Sequence, residues 1–385
     1  MTASPPELHG PADLRPLTAL RFLAAAWVVV YAFWPDLDVG VLPHAVAKGY
    51  LGVEVFFVLS GFILCHVYLE AFGTRRSDYG GFLWARLARV YPLHLFTLFG
   101  VMALGLAATV TGMSLNASVL DWASLPANLA MVHAWGLAPE AAFNHPSWSI
   151  SAEWFAYLTF PVFAAVAWRM RDRPWIAVAL TAAFIPAIYL VFQALAGFPL
   201  TQATIQWGAL RIVPCFAYGC ALYLLYRRAP LARPAALAVV SALALAASAA
   251  LSAPDALIVV LAGLMILGLA GIPNGRAGIM ASAPAVYLGE ISYSVYMVCI
   301  PVKLVAVTVA ARLTGAGDAG LWWPVWLALV LMVPVVAAGT YHLVERPARG
   351  WLRARRPGRA KPTSPTVSPT ANSPVEGFQA PKTIV

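Results

Sequence analysis

The chain predicts an all-α fold, a polytopic membrane protein built as a bundle of about ten transmembrane helices. Three observations carry that expectation. Of 385 residues, 61% are hydrophobic and 11% are charged, less than half the roughly 25% charged share of soluble domains. Apolar runs of the length that crosses a core of about 30 Å recur from end to end. Basic residues gather in alternate connections between those runs.

The runs are 15–34, 50–70, 87–110, 148–168, 175–195, 208–226, 234–252, 255–273, 284–309 and 321–344. Before the first, residues 1–14 are polar and hold Pro5, Pro6, Pro11 and Asp13. They lack the short apolar core and cleavage site of a secretory signal, so the first helix is expected to act as its own insertion signal. Segment 123–137 is apolar but too short to cross, and is expected to lie in the interface or dip into the fold. Arg75, Arg76, Arg86 and Arg89 flank the second connection; Arg169, Arg171 and Arg173 mark the fourth, Arg227, Arg228 and Arg233 the sixth, and Arg276 the eighth. The odd connections are poor in basic residues, with Asp36, Asp38 and Lys48 in the first and no Lys or Arg over 111–147. The positive-inside rule then makes the even connections and both termini cytoplasmic, in a bacterial inner or plasma membrane. Trp322, Trp323 and Trp326 read as interface anchors. After the tenth run, Arg346, Arg349, Arg353, Arg355, Arg356, Arg359 and Lys361 form a basic stretch suited to anionic lipid headgroups. The chain therefore divides into a cytoplasmic segment 1–14, a transmembrane domain 15–347 and a tail 348–385, basic and then disordered, its last part 362–385 being rich in Pro, Ser and Thr.

Composition also narrows the partners. The net charge is +9, but it sits in loops and near the C-terminus, so membrane orientation explains it and nucleic acid is not an expected partner. Cys65, Cys215, Cys220 and Cys299 fall in or beside apolar runs without zinc-type spacing; they read as buried thiols, and no metal is expected. His66, His94, His133, His145 and His342 are scattered. No internal repeat supports an inverted-repeat transporter, although a polar route lined by Arg21, Arg211 and Glu153 keeps a transporter or channel as the rival function.

Charges inside the runs point to chemistry, because a charge at membrane depth costs at least about 2.5–3.5 kcal/mol. Arg21 lies within the first run. A residue eleven positions on, Ala32, returns to within roughly 20° of the same helix face, about 16 Å along the axis. Glu54, Glu153 and Arg211 are also intramembrane charges that need partners, and Arg21 or Arg211 suit the carboxylates. Lys303 reads as a snorkelling, structural residue. Glu153 follows Ser147, Trp148, Ser149 and Ser151, a cluster of hydroxyls suited to binding an acceptor or carrying protons. Arg86 and Arg89 share one face at the start of the third helix, and Tyr91 and Pro92 follow. Ordinary positive-inside anchoring is the plainer reading of that arginine pair.

Six segments, in order, resemble the membrane-bound acyltransferase-3 family, bacterial O-acyltransferases of sugars, envelope glycans and macrolides. They are Leu17-Thr-Ala-Leu-Arg-Phe-Leu to Ala32, Gly49-Tyr-Leu-Gly-Val-Glu-Val-Phe-Phe-Val-Leu-Ser-Gly-Phe62, Arg86-Leu-Ala-Arg-Val-Tyr-Pro92, Pro146-Ser-Trp-Ser-Ile-Ser-Ala-Glu-Trp154, Leu288-Gly-Glu-Ile-Ser-Tyr-Ser-Val-Tyr296 and Leu343-Val-Glu-Arg-Pro347. The resemblance implies transfer of an acyl group from acyl-CoA, in the simplest case acetyl-CoA, to a hydroxyl-bearing acceptor. It implies a base for the hydroxyl proton, arginines for the CoA phosphates and polar donors for the oxyanion. Arg21 and Glu153 would orient groups at the catalytic centre. Arg86, Arg89, Arg211 and Tyr91 would bind the donor, and Ser147, Trp148, Ser149, His145 and Glu54 the acceptor.

The family pattern is Arg, ten residues, then His, and here Ala32 stands at the histidine's position. Alanine cannot accept a proton. Three readings stand: a histidine-to-alanine change made to trap a complex, a natural inactive relative, or another base, for which His145 is the first candidate. The ordinary neighbourhood, Val28-Val-Val-Tyr31 and Phe33-Trp34, favours the first, and turnover by this chain is expected to be very low. Cys299 is a second departure, where relatives often carry a histidine; an acyl-carrier thiol and a packing thiol are the two readings.

Overall fold

A computed structural model of the chain describes residues 13–111, 117–228, 230–315 and 320–355. Segment 1–12 and the Pro/Ser/Thr-rich segment 362–385 lie outside the described residues. Among the described residues there are twelve main helices, eleven along the apolar runs and a last, basic one beyond them. They are α1 (Arg15–Phe33), α2 (Gly52–Gly73), α3 (Tyr79–Val110), α4 (Trp148–Met170), α5 (Pro174–Ala196), α6 (Gly208–Arg228), α7 (Pro234–Ala250), α8 (Asp255–Ala270), α9 (Ala283–Glu290), α10 (Ser292–Thr314), α11 (Trp323–Thr340) and α12 (Arg346–Ala354). Among the described residues, eight helical stretches are long and apolar enough to cross a membrane. The shorter apolar helices α7 and α8, 17 and 16 residues long, each reach about 25 Å at 1.5 Å per residue. The protein is an integral membrane protein of the all-α class.

The ninth apolar run departs from the expected single helix. It breaks at Ile291 into the short α9 and the long α10. Ser282 caps α9 through the Ala285 amide, and the Ser292 hydroxyl donates to the Gly289 carbonyl at the break. Hydropathy does not register a break whose flanking residues are all compatible with a helix. A second irregularity follows α11, where Tyr341–Glu345 forms a single π-type turn before α12.

Packing is closest where glycines let backbones meet. An added Cβ at Gly61 would lie 2.1 Å from the Phe216 carbonyl oxygen, and one at Gly219 would lie 2.0 Å from that of Val58. Only glycine permits α2 and α6 to touch at this separation. Segment 123–137 does dip into the fold: Ser124, Asn128, His133 and Ala134 are all buried. Trp326 differs from its anchor reading. It is buried and donates its indole N–H to the Phe33 carbonyl at 2.7 Å, while Trp322 and Trp323 remain exposed.

The connections meet in two groups. At one end Arg227 pairs with Glu70 at 2.7 Å, Arg228 donates to the Asp172 carbonyl, Asn274 donates to the Asp13 carbonyl and Trp84 donates to the Leu352 carbonyl. At the other end Asp255 gathers Lys48 at 2.6 Å, the Tyr50 hydroxyl at 2.8 Å and the Thr201 hydroxyl at 2.5 Å, and the Asp38 amide bonds the Leu321 carbonyl. The basic even connections and both described ends of the chain therefore share one face of the bundle.

Candidate functional site

One cavity of ≈ 230 Å³ opens into the bundle between five helices. From α1 it takes Leu17, Thr18 and Arg21, from α3 Arg86 and Arg89, and from α4 Ser149, Glu153 and Tyr157. Apolar residues of α2, with Ser60 among them, and Tyr293 and Tyr296 of α10 complete the wall. Helical spacing explains the gathering. Arg86 and Arg89 are three apart, and Ser149, Glu153 and Tyr157 are four apart, so each set shares a face.

The Glu153 carboxylate is held by hydroxyls. The Ser60 Oγ donates to Glu153 Oε1 at 2.9 Å, and the Tyr157 hydroxyl makes a short bond to the same oxygen. Arg86 donates to the Tyr68 hydroxyl at 3.4 Å and stands over the Tyr68 and Tyr157 rings; its Nε is buried and unbonded. Arg21 sits in the field of Arg89, Glu153 and Glu345. Among the described residues no salt bridge engages Arg21, Arg86 or Arg89. Three guanidiniums thus line the cavity against one lining carboxylate, which leaves it net positive and suited to an anionic ligand.

The other predicted positions divide into separate places. Arg211 Nε meets Glu54 Oε1 at 2.5 Å, with side chains only 2% and 1% exposed. The guanidinium also donates to the Ala203 carbonyl and stacks 4.5 Å over Trp148. Two of the predicted ligand-binding residues, Arg211 and Glu54, thus form a buried ion pair, with Trp148 against it, and all three lie outside the cavity lining. Ser147 shares a 3.1 Å hydrogen bond with His133 Nε2. The His133 ring stacks on His94 at 6.0 Å between centroids, and burial pushes its pKa down to about 3. Tyr91 donates to the Leu129 carbonyl. His145 is exposed at the start of α4. Cys299 is buried and donates to the Tyr296 carbonyl.

Ala32 is half-buried among α10 and α11 residues and is absent from the cavity wall. Its carbonyl accepts from Lys303 Nζ at 2.5 Å, and Lys303 also pairs with Asp36 at 3.0 Å. Structure adds residues that sequence reasoning passed over. Tyr157, Tyr293 and Tyr296 line the cavity, and Glu345, buried in the π-turn, accepts from the Ser294 hydroxyl at 2.7 Å. Tyr157 follows Glu153 by one helical turn, which was the available signal; the others look like ordinary core aromatics or a surface acid.

Comparison with known proteins gives the site its context. The acyltransferase-3 domain model, described as an acyltransferase domain, matches residues 16–343. The chain is 33% identical over 390 residues to the acyltransferase MdmB of Streptomyces mycarofaciens, covering 91% of this chain and 95% of that protein. It is 22% identical to the O-acetyltransferase OatA of Staphylococcus aureus over 89% of this chain, which spans 58% of that longer protein. A shorter match, 36% identical over 91 residues, is to protein 2 of the picA locus of Rhizobium radiobacter, covering 24% of this chain and 48% of that protein. No solved structure matches. With most of its helical domain, including every wall of the charged cavity, inside the matched region, the chain belongs to the acyltransferase-3 family.

Proposed function

We propose that this acyltransferase moves an acyl group, in the simplest case the acetyl of acetyl-CoA, to a hydroxyl of a sugar, glycolipid or secondary metabolite within or across the membrane. The observation that supports it best is the cavity that joins Arg21, Arg86, Arg89 and Glu153. Unpaired guanidiniums are the groups that hold phosphates through charge-assisted bonds, while the apolar α2 wall suits a pantetheine arm or an acyl chain. With the basic end of the bundle facing the cytoplasm, the donor reaches the cavity from that side.

In this reading Arg86 and Arg89 bind the donor's diphosphate. Arg21 and Glu153, opposite charges facing the same cavity, orient the reacting groups, and Ser60 and Tyr157 hold the Glu153 carboxylate in place through its Oε1. The base is the weak point of the chain. Position 32 corresponds to the family histidine and carries alanine, so donor binding survives while transfer is slow, by about 10²–10⁴ relative to a protein with its base.

The test is Ala32→His with labelled acetyl-CoA and a panel of hydroxyl acceptors. Transfer is expected to rise at least about a hundredfold. A histidine variant that binds the donor yet stays as inert as the parent overturns the assignment of position 32. A parent protein that binds no CoA overturns the donor.

A further inference from the structure

We propose that Arg349 and Arg353 of α12 form an outer phosphate station at the mouth of the cavity, one that takes the ribose phosphate of a CoA-type nucleotide thioester. The proposal rests on the acyl-CoA reading above and adds a second site to it. The helix lies beyond residue 343, where the family match ends.

Size comes first. A cavity of ≈ 230 Å³ is smaller than the roughly 300–1,000 Å³ of sites that enclose drug-sized ligands. A nucleotide thioester is larger still, so its nucleotide end must rest outside. Along such a donor the order is thioester, pantetheine arm, diphosphate, then phosphorylated ribose. With the diphosphate at Arg86 and Arg89, the ribose phosphate falls beyond them, toward the basic end.

That place is where α12 sits. The Trp84 indole donates to the Leu352 carbonyl at 2.8 Å, which ties the helix to α3 two residues before Arg86 and brings Arg353, next to Leu352, alongside. Arg353 lies in the field of Arg349, Arg86 and Arg89. Arg349 and Arg353 are four residues apart and share a helix face, an arrangement that costs energy for like charges. Little on the protein offsets it. Arg349 reaches only Glu345, at 3.8 Å, an acid already bonded to Ser294, and no salt bridge among the described residues engages Arg353. The opposite face of α12 has a different character. Trp351 is 53% exposed there, with the Arg355 guanidinium 3.9 Å from its ring centroid, a pairing suited to the membrane surface. The two faces divide the labour: one toward lipid, one toward the anion at the mouth.

The same chemistry would be met by an anionic lipid headgroup, so the experiment separates the two. Full-length protein is placed in nanodiscs of phosphatidylcholine, and binding of CoA and 3′-dephospho-CoA is titrated. Wild type is expected to prefer CoA by about tenfold. Arg349→Gln/Arg353→Gln should bind both ligands alike while retaining affinity for 3′-dephospho-CoA, which also reports that it is folded. Arg353→Lys, which keeps the charge, should retain most of the preference, and Arg353→Glu should invert it. An unchanged preference in the glutamine and glutamate variants overturns the outer station and leaves the donor assignment standing. A difference between wild type and variant that appears only in phosphatidylglycerol discs makes the occupant a lipid and overturns it as well. If wild type binds neither ligand, the acyl-CoA reading itself fails.

Discussion

Two arginines met in similar apolar contexts have opposite fates. Arg211 finds Glu54 at 2.5 Å and closes on it; Arg21 faces a cavity and has no salt bridge among the described residues. Removing one partner of a buried pair leaves the other charge uncompensated and costs about 3–5 kcal/mol. Arg211→Leu and Glu54→Leu are therefore each expected to lower the melting temperature of the detergent-solubilised protein strongly, and the double variant to recover much of the loss. Arg89→Gln should leave the melting temperature near wild type and weaken CoA binding at least about tenfold. At this scale the sequence was informative about charges and silent about their partners. Arg86 and Arg89 stood out because they share one face at the start of the third helix, and Arg21 and Glu153 because charge is costly in apolar runs. The same signal put Arg211 and Glu54 among ligand contacts, since a charge that needs a partner does not reveal whether the partner is a ligand or another side chain. Tyr293 was not legible, because an aromatic residue in an apolar helix resembles any core residue.

Among the elements, α2 and α6 meet backbone to backbone through glycines on both helices. A methyl at Gly61 would meet the Phe216 carbonyl at 2.1 Å, so Gly61→Ala must push the helices apart, at an expected cost of about 1–3 kcal/mol from overpacking. Gly275→Ala, where nothing lies within 4 Å, serves as the comparison and should melt like wild type. The segment around His133 carries a pH dependence. Burial pushes the imidazole down to about 3, whereas in an unfolded chain it titrates near 6.5. The folded state thus resists a proton that the unfolded state accepts. His133 contributes stability in full above about pH 6.5 and loses it as pH falls toward 3, with a slope of up to about 1.4 kcal/mol per pH unit. Melting curves of His133→Gln between pH 6.5 and 4 should show a shallower acid limb than wild type. Hydropathy located the long helices well, since length and apolar content are read directly along the chain. It gave no sign of the break at Ile291 or the π-turn at Tyr341–Glu345, which depend on how backbone groups are satisfied by neighbours.

Across the whole molecule, the alternation of basic loops anticipated the gathering of even connections at one end, where Arg227 and Arg228 tie to Glu70 and Asp172. Loop charge is a global signal and survives local errors of boundary. The cavity was less accessible to such reasoning, because its walls come from five helices separated by up to some 280 residues, Leu17 to Tyr296. Those walls belong to α1, α2, α3, α4 and α10, and none comes from α5, α7, α8 or α11. The bundle therefore divides its work: a clasp of five helices that must keep its charges and shape, and helices outside the cavity wall whose task is packing and contact with lipid. Chimaeras that exchange α5 and α7, which bury few residues, should keep their appetite for the donor unaltered.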